Sequence, residues 1–239
     1  MNYFFITGTS KGIGRALAAE LLTMQYNKVF GISRSLVLHH DHYVHFHLDL
    51  ADTKAVSQFR FPDLTEPKGI YLINNSGSLG EVRHSGELDN EKIISTYNLN
   101  IISPAILINK FIEKFKKTDC NKVILNISSG AAKRPIDGWS TYGSSKAALD
   151  LLSQTVQAEC ELDQNGFRIF SVAPGVVDTA MQDQIRSSSI KDFSSVQNFI
   201  NFKEEGELQH PEVVARKIVY FMENCHKYNQ VILSLNNAS

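Results

Sequence analysis

Short apolar runs and stretches with apolar residues at helical spacing alternate along the whole chain. Runs rich in aromatic and β-branched residues predict strands at about 3–7, 28–33, 43–49, 70–74, 122–127, 168–173 and 230–235. Apolar positions three and four residues apart predict helices at about 14–25, 51–60, 90–117, 141–163 and 211–225. This alternation predicts a doubly wound α/β fold, in which a seven-stranded, mostly parallel sheet carries helices on both faces. Ligands then bind outside the carboxyl ends of the strands.

Composition limits the number of domains and the classes of partner. The chain has 239 residues, 43% of them hydrophobic, with no Pro/Gly/Ser-rich break or internal repeat, so we expect one domain over residues 1–239. A net charge of −1 provides no electrostatic footprint for nucleic acid. No apolar run approaches the ~20 residues of a membrane-spanning helix. The amino terminus leads straight into a strand pattern, and we therefore expect a cytoplasmic protein without a membrane segment.

Two clusters and the cysteines invite other interpretations. The first cluster surrounds Asp41 and could suggest a metal site, with His39, His40, His42, His45 and His47. Apolar residues alternate with the last two histidines, however, which is typical of a strand with one solvated face, so no metal site is predicted. The second cluster comprises Lys110, Lys114, Lys116 and Lys117. It fits the solvated side of a helix rather than a nucleic-acid site. The few, widely spaced cysteines predict reduced thiols at Cys120, Cys160 and Cys225.

The first predicted strand runs directly into a turn rich in glycine. The segment from Thr7 to Gly14 also contains Gly8 and Gly12 and precedes apolar residues at helical spacing. Glycines let a backbone approach a pyrophosphate closely, and the following helix presents unpaired N–H groups to it. We therefore predict the nucleotide-binding turn of a Rossmann-type domain. Three residues separate Gly8 from Gly12, rather than the one of the common dinucleotide fingerprint, so an ordinary flexible turn is the alternative.

A tyrosine and a lysine lie one helical turn apart behind an upstream serine. Tyr142 and Lys146 share one face of a predicted helix, with Cβ atoms about 5–6 Å apart. A positive charge about 4 Å from the phenol oxygen is worth roughly 4 kcal/mol at an effective dielectric of about 20, so we expect Lys146 to lower the Tyr142 pKa by around three pH units. Ser129 ends a predicted strand and would place a hydroxyl beside the reacting oxygen. This is a general-acid arrangement, although Tyr-x-x-x-Lys alone is also common on solvated helix faces.

Taken in order, these motifs resemble those of the short-chain dehydrogenase/reductases in their single-domain form. The resemblance extends from residue 5 to about residue 180 and rests on the glycine turn, Asn74-Asn75-Ser76-Gly77, Asn100, Ser129, Tyr142, Lys146, Pro174-Gly175 and Thr179. Ser76 departs from the family, which usually carries alanine there. The resemblance implies four catalytic residues, Asn100, Ser129, Tyr142 and Lys146. In the family, the residue that matches Asn100 opens its helix locally and holds a water that links the lysine to solvent; Asn98 is the neighbouring candidate.

The cofactor implied by the resemblance is NADP(H). Ser33-Arg34 follows the second strand, where an NAD enzyme would be expected to carry an acid, and Lys11 can approach the same 2′-phosphate from the glycine turn. The implied cofactor-binding residues are Gly8, Ser10, Lys11, Gly12, Ile13, Gly14, Ser33, Arg34, Asp49, Leu50, Asn75, Ser76, Gly77, Tyr142, Lys146, Pro174, Gly175, Val177 and Thr179. Within this set, Asn75 and Gly77 are interpreted chiefly as structural supports of the cleft.

The substrate expected from the resemblance is a small carbonyl compound. Segments around Trp139 and over 172–182 resemble the sepiapterin reductase and benzil reductase branch, which favours a ketone or a vicinal diketone. Expected substrate contacts are Ser129, Trp139, Tyr142 and Met181, with a lid at about 180–207. A core role for Trp139 is an equal alternative. The last predicted strand has no acid to anchor a pterin, which weakens the choice of sepiapterin reductase itself.

Two other classes of function remain open on the same fold. One is a catalytically silent NADP(H)-sensing protein, and the intact catalytic set argues against it. The other is an isomerase or dehydratase, which is disfavoured because the related sugar-nucleotide enzymes usually carry a longer C-terminal substrate region. Members of the family commonly pair the helices that correspond to 90–117 and 141–163 across a two-fold axis between subunits. We therefore expect a homodimer or homotetramer.

Overall fold

Seven parallel strands form the centre of the computed structural model, which describes residues 1–235. The strands, β1 to β7 in chain order, span Asn2–Thr7, Asn27–Ser33, Tyr43–His47, Gly69–Asn74, Asn121–Ile127, Phe167–Ala173 and Ile232–Ser234. They form one sheet in the order β3-β2-β1-β4-β5-β6-β7, and every neighbouring pair is parallel. The predicted doubly wound fold is confirmed, and the last strand is shorter than the sequence pattern suggested.

Eight α-helices within the described residues connect and cover these strands. Numbered α1 to α8, they span Gly12–Leu22, Thr53–Gln58, Asn90–Tyr97, Ser103–Phe115, Ser140–Leu162, Ala180–Arg186, Val196–Glu204 and Pro211–Glu223. No helix within residues 1–235 is long and apolar enough to cross a membrane. Over the same range, no three histidine, cysteine, aspartate or glutamate side chains converge as metal ligands.

Both faces of the sheet are covered because side chains alternate between them along each strand. Phe4 and Ile6 of β1 belong to the apolar core that includes residues of α1 and α8. Phe5, between them, belongs to the opposite core with residues of α4 and α5, and packs edge-on against Phe61 and Phe111. A slip of one residue would exchange the two cores, so the pattern of β1 fixes its register.

The prediction of one continuous helix over 90–117 is wrong at the centre of that range. A π-helical turn, Asn98–Ile102, separates α3 from α4. Asn100 is fully buried there, and its side chain is hydrogen-bonded to Ser78 and Ser145 outside the turn. These bonds hold the backbone in a wider turn, of the kind frequently found at functional sites.

Strand β3 also departs from the predicted alternation. Val44 and Phe46 pack against the apolar core as expected, and His47 is exposed. His45, expected on a solvated face, instead has a buried Nε2 atom and lies beside the Tyr43 ring, with centroids 6.2 Å apart. The side of β3 that faces the glycine turn is therefore partly enclosed.

The segment expected to form a lid contains two helices that the sequence analysis missed. Helices α6 and α7 lie within residues 180–207 and contact each other. Their serines, glutamines, aspartates and asparagines obscure the short apolar pattern of Ile185 and Val196, both of which are buried. The segment therefore has an apolar inner side, although its composition is polar.

Candidate active site

The sheet order places a crevice between the carboxyl ends of β1 and β4. These two strands are neighbours, but the chain leaves them toward opposite edges of the sheet, β1 leading to β2 and β4 leading to β5. Such a change of direction opens a crevice where open α/β sheets bind ligands. Gly8 directly follows β1, and Asn75 directly follows β4. The predicted nucleotide-binding turn and the Asn75-Ser76-Gly77 segment therefore face each other.

The glycine turn has the close packing that its glycines suggested. Gly8 and Gly12 adopt φ values of 77° and 55°, in the left-handed region that favours glycine. At Gly14, a Cβ atom would lie 2.3 Å from Asn75 Nδ2 and 2.4 Å from the Gly8 oxygen. Residues Ser10 and Ile13 complete the turn, and Lys11 is the N-cap of α1. The helix thus begins at the crevice with its first N–H groups unpaired, which suits a phosphate.

Asn75 braces this turn from the neighbouring strand, as the structural interpretation of that residue predicts. Its Nδ2 donates to the Thr7 oxygen over 2.9 Å, and its backbone N–H donates to Thr7 Oγ1 over 2.9 Å. The Ser76 N–H donates to the same hydroxyl over 3.0 Å. A Cβ atom on Gly8 would lie 2.7 Å from Ser76 Oγ, so the serine that replaces the family's alanine tightens this contact.

The residues expected to bind the adenosine end lie at the carboxyl ends of β2 and β3. Lys11 and Arg34 are both exposed, and neither forms an ion pair within residues 1–235. The Ser33 hydroxyl lies 3.4 Å from Thr9 Oγ1, which joins the end of β2 to the glycine turn. Asp49 is exposed and accepts from the Ala51 N–H over 2.9 Å, while the neighbouring Leu50 is buried. Lys11 and Arg34 are therefore available cations at the start of α1 and after β2, and their contact with a 2′-phosphate stays a prediction.

Tyr43 supports the glycine turn and was missed by the sequence analysis. Its hydroxyl reaches across β2 to Thr9 Oγ1, 2.9 Å away, and Thr9 is fully buried. Burial raises the pKa of Tyr43, whereas the hydrogen bond with Thr9 lowers it. The Tyr43 side chain crosses β2 at Gly31, where a Cβ atom would be 1.9 Å from the Tyr43 hydroxyl. Gly31 in the middle of a strand was the available signal, because such a glycine often marks a close approach.

Ser129, Tyr142 and Lys146 meet at the carboxyl end of β5. Tyr142 and Lys146 are buried side chains of α5, and Ser129 follows β5 in a short turn, where its Oγ accepts from the Ala131 N–H over 3.2 Å. The Tyr142 phenol is hydrogen-bonded to the Ser129 side chain. Lys146 Nζ donates to the Ile127 oxygen over 2.7 Å and lies 5.9 Å from the centre of the Tyr142 ring. The three predicted groups are thus brought together.

The pKa of Tyr142 departs from the sequence-based expectation. Burial raises it, and the hydrogen bond with Ser129 lowers it in part. Lys146 does not produce the predicted lowering, because its ammonium is directed at the Ile127 oxygen and burial dominates at the phenol. Burial also lowers the pKa of Lys146 to about 8, and the Asp150 carboxylate opposes that change. The phenol therefore holds its proton at neutral pH.

Asn100 joins this centre through the π-helical turn. Its Oδ1 accepts from the Ser78 N–H over 2.9 Å, and its Nδ2 donates to the Ser78 oxygen and to Ser145 Oγ. A Cβ atom on Gly77 would lie 3.5 Å from both Asn100 Oδ1 and Lys146 Nζ. The predicted local opening of the helix is present, and the amide of Asn100 fixes the Ser78 loop against α5.

The segment after β6 closes the cleft from the other side. Pro174 is buried, and Gly175 adopts a φ of 85°. Val177 is buried and forms a parallel bridge with Gln209, which holds both ends of the 180–207 segment together. The Thr179 methyl group would lie 3.4 Å from a Cβ atom on Gly12. Thr179 thus approaches the glycine turn, and contact of this segment with a cofactor stays a prediction.

A third, smaller apolar cluster lies between α5 and the α6–α7 segment. Trp139 is buried in it, 5.6 Å from the Tyr142 ring and 5.2 Å from the Phe193 ring between centroids. The partly buried Met181 packs against the same cluster. Trp139 is therefore a core aromatic that packs edge-on against Tyr142, and its contact with substrate stays a prediction.

Polar contacts hold the α6–α7 segment against the rest of the site. Asp137 accepts from the backbone N–H and the hydroxyl of Ser194, over 2.7 and 3.0 Å. Gln184 Nε2 donates to the Gly80 oxygen over 2.7 Å, and Lys203 pairs with Asp178 at 2.6 Å. These polar contacts lie at the surface, and the opening of the segment as a lid stays a prediction.

Comparisons with known proteins agree with this geometry. A model of the family described as short chain dehydrogenase matches residues 2–189. Benzil reductase ((S)-benzoin forming) of Bacillus subtilis is 35% identical over 230 residues, covering 93% of this chain and 94% of that protein. Sepiapterin reductase of Bos taurus is 31% identical over 168 residues, covering 68% and 61%. A solved short-chain dehydrogenase/reductase from Saccharomyces cerevisiae has a TM-score of 0.84 at 26% identity, covering 99% and 97% of the two chains.

Proposed function

The chain belongs to the short-chain dehydrogenase family, and we propose that it is an NADPH-dependent reductase of ketones or vicinal diketones. The observation that carries the proposal is the meeting of Ser129, Tyr142 and Lys146 beside the glycine-lined crevice. A full-length relationship to a benzil reductase supports the carbonyl chemistry.

The crevice suits a nicotinamide dinucleotide. The turn around Gly8 and Gly14 is packed so closely that it exposes backbone rather than side chains, and α1 begins there. At the far end, Lys11 and Arg34 are free to bind a 2′-phosphate, and Arg34 can do so with two parallel hydrogen bonds. The residues after β6, including Val177 and Thr179, would face the nicotinamide carboxamide.

The chemistry that the bound cofactor supplies is hydride donation to the carbonyl carbon. Tyr142 is protonated at neutral pH and would donate its phenol proton to the carbonyl oxygen. Ser129 would hold and polarise that oxygen, because its hydroxyl is already bonded to the phenol. The Lys146 ammonium would stabilise the phenolate that remains and contact the nicotinamide ribose. The same groups would oxidise a secondary alcohol in the reverse direction.

The proposed role of Asn100 is to hold the backbone around the lysine. With both of its Nδ2 hydrogens and its Oδ1 occupied by Ser78 and Ser145, its side chain is used for structure. The wide π-helical turn that these bonds maintain would leave room for the water that completes a proton relay to Lys146.

The apolar surroundings of Tyr142 favour a bulky, apolar carbonyl compound. Trp139 packs edge-on against the Tyr142 ring, Phe193 and Phe199 pack against Trp139, and Met181 borders the same cluster. An aromatic diketone such as benzil matches such walls. Sepiapterin is the second candidate substrate, supported by the similarity to sepiapterin reductase, although Val231 to Leu235 contain no acid for a pterin.

We further propose a homodimer or homotetramer in the cytoplasm. Ile94, Ile102 and Leu151 are exposed apolar residues on α3, the π-helical turn and α5, elements that pack side by side. A two-fold contact would bury them. The three free thiols suit a reducing compartment. Light scattering at micromolar concentration should give a multiple of the 26.8 kDa chain mass, and a monomer would refute the oligomer.

The enzymatic proposal is tested by NADPH oxidation against a panel of carbonyl compounds. The panel contains benzil, other α-diketones, simple ketones, aldehydes and sepiapterin. We expect turnover of diketones, with benzil among the best. If the protein binds NADPH tightly but turns over none of these compounds, it is a cofactor sensor and the reductase proposal is wrong.

A further inference from the structure

We propose that Asp150 is the buried counter-charge that keeps Lys146 charged and in position, which makes it a positioning residue of the reductase proposed above. Asp150 is buried and belongs to none of the motifs singled out in the sequence. It lies on α5 eight residues beyond Tyr142 and four beyond Lys146, so the three side chains share one face of the helix.

Burial of charge gives the first argument. Among residues 1–235, the buried charged side chains are Lys122, Lys146 and Asp150. Lys122 lies near the start of β5, at the end of the strand opposite the site, and its Nζ donates to the Thr118 oxygen over 2.8 Å. Asp150 is therefore the single buried acid of the described chain, on the same face as the lysine of the site. An isolated buried charge is costly, so each of these two stabilises the other.

Anchoring on two adjacent strands gives the second argument. Lys146 Nζ is bonded to the Ile127 oxygen of β5, and Asp150 Oδ1 accepts from Ser171 Oγ of β6 over 2.6 Å. Ser171 pairs with Asn126, the residue before Ile127. Neighbouring strands lie about 4.8 Å apart, and successive residues about 3.3 Å. The ammonium and the carboxylate are thus fixed at neighbouring points of the sheet by separate hydrogen bonds.

The other elements packed around Lys146 offer no competing charge. The π-helical turn, residues 75–78, 127–129 and 171–173, and strand β7 contain no acidic or basic residue. Helix α3 carries Glu91 and Lys92, and both are exposed. On α5 itself the titratable neighbours are Tyr142 and Asp150. Asp150 is the group that raises the pKa of Lys146, against the lowering by burial.

This placement has a consequence for the reaction. A neutral Lys146 has no field with which to stabilise the phenolate left by Tyr142 after proton transfer. With its pKa at about 8, Lys146 is close to losing its proton near neutrality, and the Asp150 carboxylate keeps it charged in the working range. Asp150 would act on the rate through Lys146 alone, without contact with substrate.

The test is the titration of Lys146 in the full chain, followed by NMR of ¹³C-labelled lysine side chains, with the Lys146 signal identified by its loss in Lys146→Met. Asp150→Asn keeps an acceptor for Ser171 but removes the charge. In this variant we expect the midpoint of the Lys146 titration to lie roughly one pH unit below that of the wild type. The alkaline limb of the pH profile of kcat/KM for benzil should shift to lower pH by the same amount. Asp150→Glu should restore both values toward the wild type, and Asp163→Asn, an exposed carboxylate at the end of α5, should leave both unchanged.

An unchanged Lys146 midpoint in Asp150→Asn overturns the inference, even if the variant is less stable. The titration does not depend on turnover, so a wild type that reduces no carbonyl compound refutes the proposed function without deciding the role of Asp150. If Asp150→Asn folds poorly, melting temperatures provide the second test. The double variant with Lys146→Met should melt above both single variants, because neither charge is then left alone. Additive losses of melting temperature would contradict the pairing.

Discussion

Lys146 donates a hydrogen bond over 2.7 Å to the main-chain oxygen of Ile127, at the last residue of β5. This bond holds an ammonium group in a buried position beside Tyr142, where a charged side chain is disfavoured. We expect a buried lysine of this kind to impose a measurable penalty on the stability of the fold.

The first prediction is a pH-dependent contribution of Lys146 to stability. Its pKa is about 8 in the folded chain, below the ordinary 10.5, so between these values the unfolded chain binds more protons than the folded one. Stability therefore rises with pH in this window. Relative to Lys146→Met, the wild type should gain roughly 1–3 kcal/mol of unfolding free energy between about pH 7 and pH 10. Urea unfolding of both proteins measures the difference, and a difference that is flat or falls with pH would show that Lys146 is not destabilised by burial.

The second prediction concerns the Tyr43 support of the glycine turn. Gly31→Ala would place a methyl group 1.9 Å from the Tyr43 hydroxyl and 2.6 Å from Thr9 Oγ1. We expect a loss of about 1–3 kcal/mol of stability, as for overpacked cores, together with weaker NADPH binding. Tyr43→Phe removes the nearer obstacle, so the double variant should recover part of both losses. Thermal melting and fluorescence titration with NADPH check this, and the support is disproved if Gly31→Ala binds NADPH as the wild type does.

The fold and most of the cleft follow from local sequence patterns, whereas contacts across the sheet do not. Alternation of strands and helices, and the glycines from Gly8 to Gly14, depend on spacing along the chain, and the structure has them where they were expected. The Tyr43–Thr9 bond joins residues 34 positions apart and depends on strand order. The predicted lowering of the Tyr142 pKa is likewise wrong. The i,i+4 spacing shows that Lys146 can lie near Tyr142, but it does not show that the Lys146 ammonium binds the Ile127 carbonyl oxygen.

The third prediction is a preference for NADPH over NADH. With two unpaired cations at the proposed 2′-phosphate position, we expect at least roughly tenfold higher kcat/KM with NADPH, about 1.4 kcal/mol. Arg34→Asp should abolish or reverse this preference by repelling the phosphate. Arg216→Asp, at an exposed arginine of α8, is the matched control and should leave the preference unchanged. Equal use of both cofactors by the wild type would rule out the proposed roles of Lys11 and Arg34.

The most direct measurement of the central claim is the rate of benzil reduction by Tyr142→Phe, with NADPH affinity measured on the same samples. The substitution deletes the proton donor but little surface, so kcat should fall at least ~100-fold while the NADPH dissociation constant stays within about twofold of the wild type. Tyr220→Phe, at an exposed tyrosine of α8, should retain the wild-type rate. A Tyr142→Phe enzyme that keeps half of the wild-type rate would contradict the account, because the proton would then come from another group.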